Sequence, residues 1–328
     1  MGSILEVRDL RVTYRSPGGN AFRALDGVSF GLGSGEVLGI LGESGSGKST
    51  LATSLLGLFH AKAVVSGAVL FEGQDVLQAK PGDLQKIRGK RVSLIFQEPS
   101  VALHPTMRAG RQIRQVLAAH ETKGRQGFDQ RTRQVLEQLF LAEEAERIAR
   151  SHPHELSGGQ RQRVLIAQAI ACGPSVVIAD EPTASLDPTT QKEILEIFRA
   201  LRKSMSLTMM FITHNPALLA GFADRILVLY AGRVIELGPA AEVLASPSHP
   251  YTQGLFQSIP PLLGAPRTAG KKKLPAISGD SYSPSSPREA CPFEPRCPER
   301  MDICKSREPV LVNLSETRTV SCFRFEDQ

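Results

Sequence analysis

The segment Gly42-Glu43-Ser44-Gly45-Ser46-Gly47-Lys48-Ser49, with Thr50 behind it, constrains this chain more than any other. Its pattern is that of a phosphate-binding loop. Glycines let backbone N–H groups curl around phosphate oxygens, and the helix that follows turns its positive end towards them. Lys48 can then reach β- and γ-phosphates, and the Ser49 hydroxyl can ligate Mg²⁺. The flanks agree with this reading. Val37-Leu38-Gly39-Ile40-Leu41 is a continuous apolar run suited to a strand buried on both faces, and Leu51, Leu55 and Leu58 follow at helical spacing.

Other apolar runs at Val92–Phe96, Val176–Ala179, Leu207–Ile212 and Ile226–Leu229 alternate with helical patterns, which predicts a mostly parallel core sheet with covering helices. Leu5, Val7, Leu10, Val12 and Tyr14, then Val28 and Phe30, alternate with polar residues and predict an N-terminal antiparallel β subdomain. Ile113, Val116 and Leu117, then Val135, Leu136 and Leu139, predict a helical subdomain over about 100–172. The expected fold is thus an α/β P-loop nucleotide-binding domain over 1–245 and an extension over 246–328. Residues 264–290 hold four prolines, five serines and three glycines and read as a flexible linker, followed by a small cysteine module over 291–322.

The second half of the phosphate site is Val176-Val177-Ile178-Ala179-Asp180-Glu181. Adjacent carboxylates at the end of a buried strand are costly unless a cation or a catalytic task awaits them. Asp180 suits Mg²⁺, and Glu181 is placed to polarise an attacking water. Successive side chains of a strand point in opposite directions, so two neighbouring acids can take two roles.

These motifs, with Leu156-Ser157-Gly158-Gly159-Gln160, resemble the nucleotide-binding subunits of ATP-binding-cassette transporters. The resemblance implies two subunits packed head to tail, the Ser157, Gly158, Gly159 and Gln160 signature of one covering the γ-phosphate held by the other. It implies that Tyr14 stacks on adenine, although Tyr14 alone reads equally as a strand residue. It also implies that Gln97 touches the metal or attacking water, that Asp187 belongs to a loop communicating across the dimer, and that His214 contacts the γ-phosphate and supports Glu181. Asp187 before Pro188 is in any event a sound helix cap. The catalytic set is Glu181, His214, Lys48 and Gln97, and all four are intact, which implies that this subunit itself hydrolyses ATP. Asn215 stands after His214 where aspartate is common, and His104 where asparagine is more usual.

Gln97-Glu98-Pro99 with Leu103-His104-Pro105, His152-Pro153-His154-Glu155 and His249-Pro250-Tyr251-Thr252 are similar to the ATPases of dipeptide and oligopeptide importers. The expected partners are a second, paralogous cassette subunit, two transmembrane permease subunits and an extracytoplasmic solute-binding protein. The expected location is peripheral, at the cytoplasmic face of the bacterial cytoplasmic membrane. Importers of nickel chelates, opines or other solutes use similar motors, and soluble cassette ATPases of translation or DNA maintenance form a different class. The chain lacks the second cassette of the former and the long coiled coils of the latter.

Four of the five cysteines, Cys291, Cys297, Cys304 and Cys322, crowd into the last 38 residues. A module too small to bury much of a core suggests a structural metal centre. Sulfur-only ligation suits zinc or an iron–sulfur cluster. The intervals of five, six and seventeen residues lack the close cysteine pair usual for zinc. The resemblance, with prolines directly after Cys291 and Cys297, favours [4Fe–4S] over Zn²⁺. A net charge of +6 does not predict nucleic-acid binding, because the basic residues are scattered apart from Lys271-Lys272-Lys273 in the expected linker. No apolar stretch approaches the length needed to cross a bilayer, and residues 1–20 lack the apolar core of a secretory signal.

Overall fold

Alternating apolar residues near the N-terminus form β1 (Ser3–Arg15), which pairs antiparallel with β2 (Ala21–Gly33). Leu5 and Val7 share a buried face with Leu10 and Val12 only because the register shifts between the two pairs. Asp9 takes up the extra residue at a φ of 45°, a β-bulge that restores the apolar face. The chain then leaves this sheet through β3 (Val37–Leu41) and α1 (Lys48–Ser54), and returns to it with β4 (Ala63–Phe71) and β5 (Gln74–Asp75) in the order β2-β1-β4-β5. Gly67 of β4 faces the bulge, where a Cβ would lie 2.4 Å from the Asp9 carbonyl.

After α2 (Pro81–Ile87), β6 (Val92–Ile95) opens the far edge of the second sheet. The helical lobe comprises α3 (Pro99–Ala102), α4 (Ala109–His120), α5 (Arg125–Glu137), α6 (Ala142–Arg150) and α7 (Gly158–Ile170). The core is completed by β7 (Val176–Asp180), α8 (Pro188–Met205), β8 (Thr208–Ile212), β9 (Arg225–Tyr230) and β10 (Arg233–Pro239), and α9 (Ala240–Ala245) and α10 (Pro250–Gln257) follow. β11 (Val312–Asn313) and β12 (Thr319–Val320) come from the extension. The order is β11-β12-β10-β9-β3-β8-β7-β6. Strands β6, β7, β8, β3 and β9 run parallel to one another, and β10, β12 and β11 add antiparallel.

Every residue of β3, β7 and β8 is buried. Period two divides them between two cores: Val37, Leu41, Val177, Ala179, Met209 and Phe211 pack with the helical lobe, while Leu38, Ile40, Val176, Ile178, Met210 and Ile212 pack under the antiparallel sheet. Burial on both faces explains why these strands read as unbroken apolar runs. The loops that leave their ends are consequently anchored in rigid structure.

The computed structural model describes residues 2–15, 21–121, 124–258, 277–279 and 290–326. Of the expected linker over 264–290, only 277–279 and Ala290 fall within that set, and Lys271-Lys272-Lys273 lies outside it. Among the described residues no helix is long and apolar enough to cross a membrane.

The extension is joined to the core sheet. β12 pairs with β10 at Glu236↔Val320 and Leu237↔Thr319. The fully buried Glu236 carboxylate accepts from the Ser248 N–H at 2.8 Å, the His249 N–H at 3.1 Å and Arg318 Nη2 at 2.8 Å. Arg318→Ala should leave that carboxylate without its counter-charge and lower stability by about 3 kcal/mol, read as a shifted denaturation midpoint. Adding Glu236→Gln should recover part of the loss.

Candidate functional site

The loop leaving β3 closes around its own lysine. Lys48 Nζ donates to the carbonyls of Gly42, at 2.8 Å, and Glu43, at 2.9 Å, and the side chain is buried. Burial draws the ammonium below its ordinary range, against the opposing pull of Glu181, Asp180 and Glu43. Gly47 sits at a φ of 106°, and a Cβ there would lie 2.6 Å from the Ala24 carbonyl. Only glycine satisfies both conditions. Phe22, Ala24, Ser44, Gly45, Gly47, Lys48, Ser49, Thr50, Gln97 and Glu181 line a cavity of about 190 Å³ beside the loop.

Glu181 lies at the centre of the charged groups. Its Oε2 is 3.1 Å from His214 Nδ1 and accepts from Gln97 Nε2 at 3.3 Å, while its Oε1 is 3.9 Å from Lys48 Nζ. The structure therefore brings together four residues drawn from four separate stretches of the chain: Lys48, Gln97, Glu181 and His214. Glu181 adopts a φ of 45°, a left-handed backbone costing about 1–3 kcal/mol. Its N–H donates to the Ile212 carbonyl at 3.0 Å, which ties this turn to β8. The hydrogen bond from His214 holds the Glu181 carboxyl below its usual range, and the same bond raises the imidazole.

Asp180, at the buried end of β7, behaves differently. Burial is the main cause raising its carboxyl, with a hydrogen bond from Ser49 opposing it. Its Oδ1 is buried with no hydrogen-bond partner. An orphaned carboxylate oxygen next to the Ser49 hydroxyl has the hard-oxygen chemistry that Mg²⁺ requires, so these residues fit the ion.

Next to the phosphate cavity, and sharing Ser49 and Thr50 with it, lies an open cavity of about 880 Å³ lined also by Tyr14, Thr53, Phe59 and His60. Tyr14 stacks on Phe22 at 6.2 Å between centroids and meets His60 edge-on at 5.9 Å. Phe22 and His60 carry no motif, and only the pairing of β1 with β2 and the chain path after α1 bring them to the site. Ser46 is also buried, with an unpartnered hydroxyl.

The signature residues and Asp187 line neither cavity. Ser157 caps α7: its hydroxyl accepts from the Gln160 N–H at 3.2 Å, and Gln160 Oε1 accepts from the Ser157 N–H at 3.1 Å. Ser157 and Gly158 are exposed, and at Gly159 a Cβ would lie 2.7 Å from Thr190 Cγ2. Asp187 caps α8, accepting from the N–H groups of Thr189 and Thr190, each at 3.0 Å.

The expected metal centre at Cys291, Cys297, Cys304 and Cys322 is corrected by the structure. Among the described residues no group of three or more His, Cys, Asp or Glu side chains is arranged to hold a metal ion. Cys291 and Cys297 instead pack against the main apolar core beside the buried Phe293. Burial pushes their thiols up to about 12 and about 11, which keeps them neutral. Both are partly buried against that core, and neither [4Fe–4S] nor Zn²⁺ is supported among the described residues. The sequence shows the crowding of the cysteines, whereas the module is joined to the core by β-pairing, an ion pair and aromatic packing.

Comparison with known proteins extends over nearly the whole chain. Residues 25–184 match the family described as ABC transporter, and residues 235–304 match the oligopeptide/dipeptide transporter C-terminal region. The chain is 39% identical to the oligopeptide transport ATP-binding protein OppD of Escherichia coli (strain K12), over 98% of this chain and 93% of that one. It is 37% identical to the dipeptide transport ATP-binding protein DppD of Bacillus subtilis (strain 168), over 100% and 96% respectively. Among solved structures it is similar to the ATP-binding cassette MJ0796 in a dimeric post-hydrolysis state bound to ADP and Pi. That likeness has a TM-score of 0.64 and 28% identity, and covers 72% of this chain and 98% of that one.

The Glu181–His214 pair sets a pH dependence. A raised imidazole stabilises the fold fully below the ordinary 6.5, and that contribution fades as pH rises through the raised folded value. An NMR titration of the His214 ring should give a midpoint above 6.5, and Glu181→Gln should bring it down.

Proposed function

The chain belongs to the ATP-binding-cassette transporter ATPases, in the family of oligopeptide and dipeptide ATP-binding subunits, and we propose that its hydrolytic centre is the Glu181 carboxylate held between Lys48, Gln97 and His214. It is an ATP-hydrolysing subunit that energises peptide import across a membrane. The observation that carries the assignment of roles is the convergence of those four side chains on one side of a glycine-rich loop.

In this reading the loop from Gly42 to Ser49 cradles the phosphates with its N–H groups, and Lys48 turns its ammonium to the β- and γ-oxygens. Ser49 and Asp180 would hold Mg²⁺, and Gln97 would be a further candidate ligand. When bound, the ion neutralises charge that develops between the β- and γ-phosphates. Glu181 is ionised at neutral pH and accepts a hydrogen bond from the attacking water, orienting it in line with the γ-phosphate. His214 fixes the carboxylate and offers its other ring nitrogen to the γ-phosphate. Tyr14 presents its ring to adenine.

The phosphate cavity lacks any contribution from the chain's own signature, and Ser157 and Gly158 are exposed at the start of a long helix. We therefore propose that a second cassette subunit, a paralogue in the full assembly, supplies its Ser157, Gly158, Gly159 and Gln160 equivalents across a head-to-tail interface. Asp187 would act there through the loop that leads into α8, the helix it caps. Two transmembrane permease subunits and an extracytoplasmic solute-binding protein complete the proposed importer, with this chain peripheral at the cytoplasmic face.

Glu181→Gln keeps the shape of the side chain but removes its basicity. Turnover in the assembled complex should fall at least 100-fold, by the usual size of general-base effects, while MgATP binding persists and closed dimers accumulate. Phosphate release and size-exclusion profiles with MgATP would check this, and wild-type turnover in the variant would refute the assigned role.

A further inference from the structure

Glu43 introduces a difficulty that the nucleotide reading leaves unanswered. A loop built to receive several negative charges carries a carboxylate of its own, one residue before Ser44 of the phosphate cavity. The Glu43 charge is felt at the Lys48 ammonium. Left unpaired, it would repel phosphates and compete with them for Lys48.

The counter-charge comes from the far end of the chain. Arg296 lies 253 residues away, and its Nη1 and Nη2 donate to Glu43 Oε2 at 2.8 Å and Oε1 at 3.1 Å. This is a two-pronged guanidinium–carboxylate pair with defined geometry. The Arg296 side chain is only 7% exposed. Its Nε donates to the Ser278 carbonyl at 3.3 Å, and its guanidinium lies 6.0 Å from the Tyr230 ring centroid. Three residues before it, Phe293 is buried against Tyr230 and Tyr251, at 5.3 and 5.5 Å between centroids. Tyr251 in turn accepts a hydrogen bond at its hydroxyl from the Glu43 N–H at 2.8 Å. Glu43 is thus held at all three of its polar groups: the side chain by Arg296, the N–H by Tyr251 and the carbonyl by Lys48.

We infer that Arg296 is a positioning residue for the phosphate loop: it neutralises and anchors Glu43, so that the loop meets nucleotide without a competing negative charge. The carboxy-terminal module is by this contact part of the ATP site's support. Arg296 is not among the residues that line the phosphate cavity, and it acts on the loop through Glu43. The inference rests on the nucleotide reading of the loop.

Equilibrium MgATP binding to the full chain separates the two. Arg296→Ala should weaken binding on the order of tenfold, as expected for one uncompensated charge near the phosphates in partly screened surroundings. The double variant Glu43→Gln with Arg296→Ala lacks the same ion pair but also lacks the stray carboxylate, and it should regain most of the lost affinity. A merely structural defect in the module would persist in the double variant. Unchanged affinity in Arg296→Ala, or a loss that the second substitution leaves in place, would overturn the inference. Failure of the wild-type chain to bind MgATP would instead overturn the nucleotide reading itself.

Discussion

Charge held at the end of a sheet that is buried on both faces is the constraint on which this structure turns. Lys48, Asp180 and Glu181 meet where β3 and β7 end, and each is substantially withdrawn from water. Such groups keep useful ionisation only if their partners are fixed, because a small displacement would leave a charge unpaired in poor solvent. The two cores that clamp the strands supply that fixity. The strained Glu181 backbone is tolerated because its N–H is tied to the buried end of β8, and the site's precision thus derives from packing remote from the chemistry.

The two carboxylates illustrate how position alone separates roles. Asp180 is raised by burial and leaves one oxygen unsatisfied, whereas Glu181 is lowered by the imidazole next to it. One suits a cation that would complete its coordination, and the other suits a base that must stay ionised. Neither property belongs to the residue type, since both are acids at consecutive positions of one strand end.

Much of this was legible in the residues. Strands buried on both faces read as apolar runs, the helical lobe reads from its spacing, and the glycine-rich loop announces its own turn. What escaped reading is what sequence separation hides. Phe22 reaches the phosphate cavity through strand pairing and His60 the Tyr14 cavity through the chain path after α1, and Arg296 meets Glu43 across 253 positions with no periodic signal to connect them. The bulge at Asp9 is visible only as a break in phase between Val7 and Leu10. The cysteines misled for a related reason: crowding along the chain does not by itself make a metal centre, and burial keeps the Cys291 and Cys297 thiols neutral.

The pairing of β12 with β10 carries a further consequence. Without it, the Glu236–Leu237 stretch of β10 would present unpaired backbone groups along the rim of a strongly apolar sheet, the kind of template on which other chains assemble. The extension replaces that rim with β11, which is two residues long and ends in Asn313, and is therefore a poor template. The tail of this protein thus covers a sheet edge of the cassette it follows, and shortening the chain to its nucleotide-binding part would expose that edge.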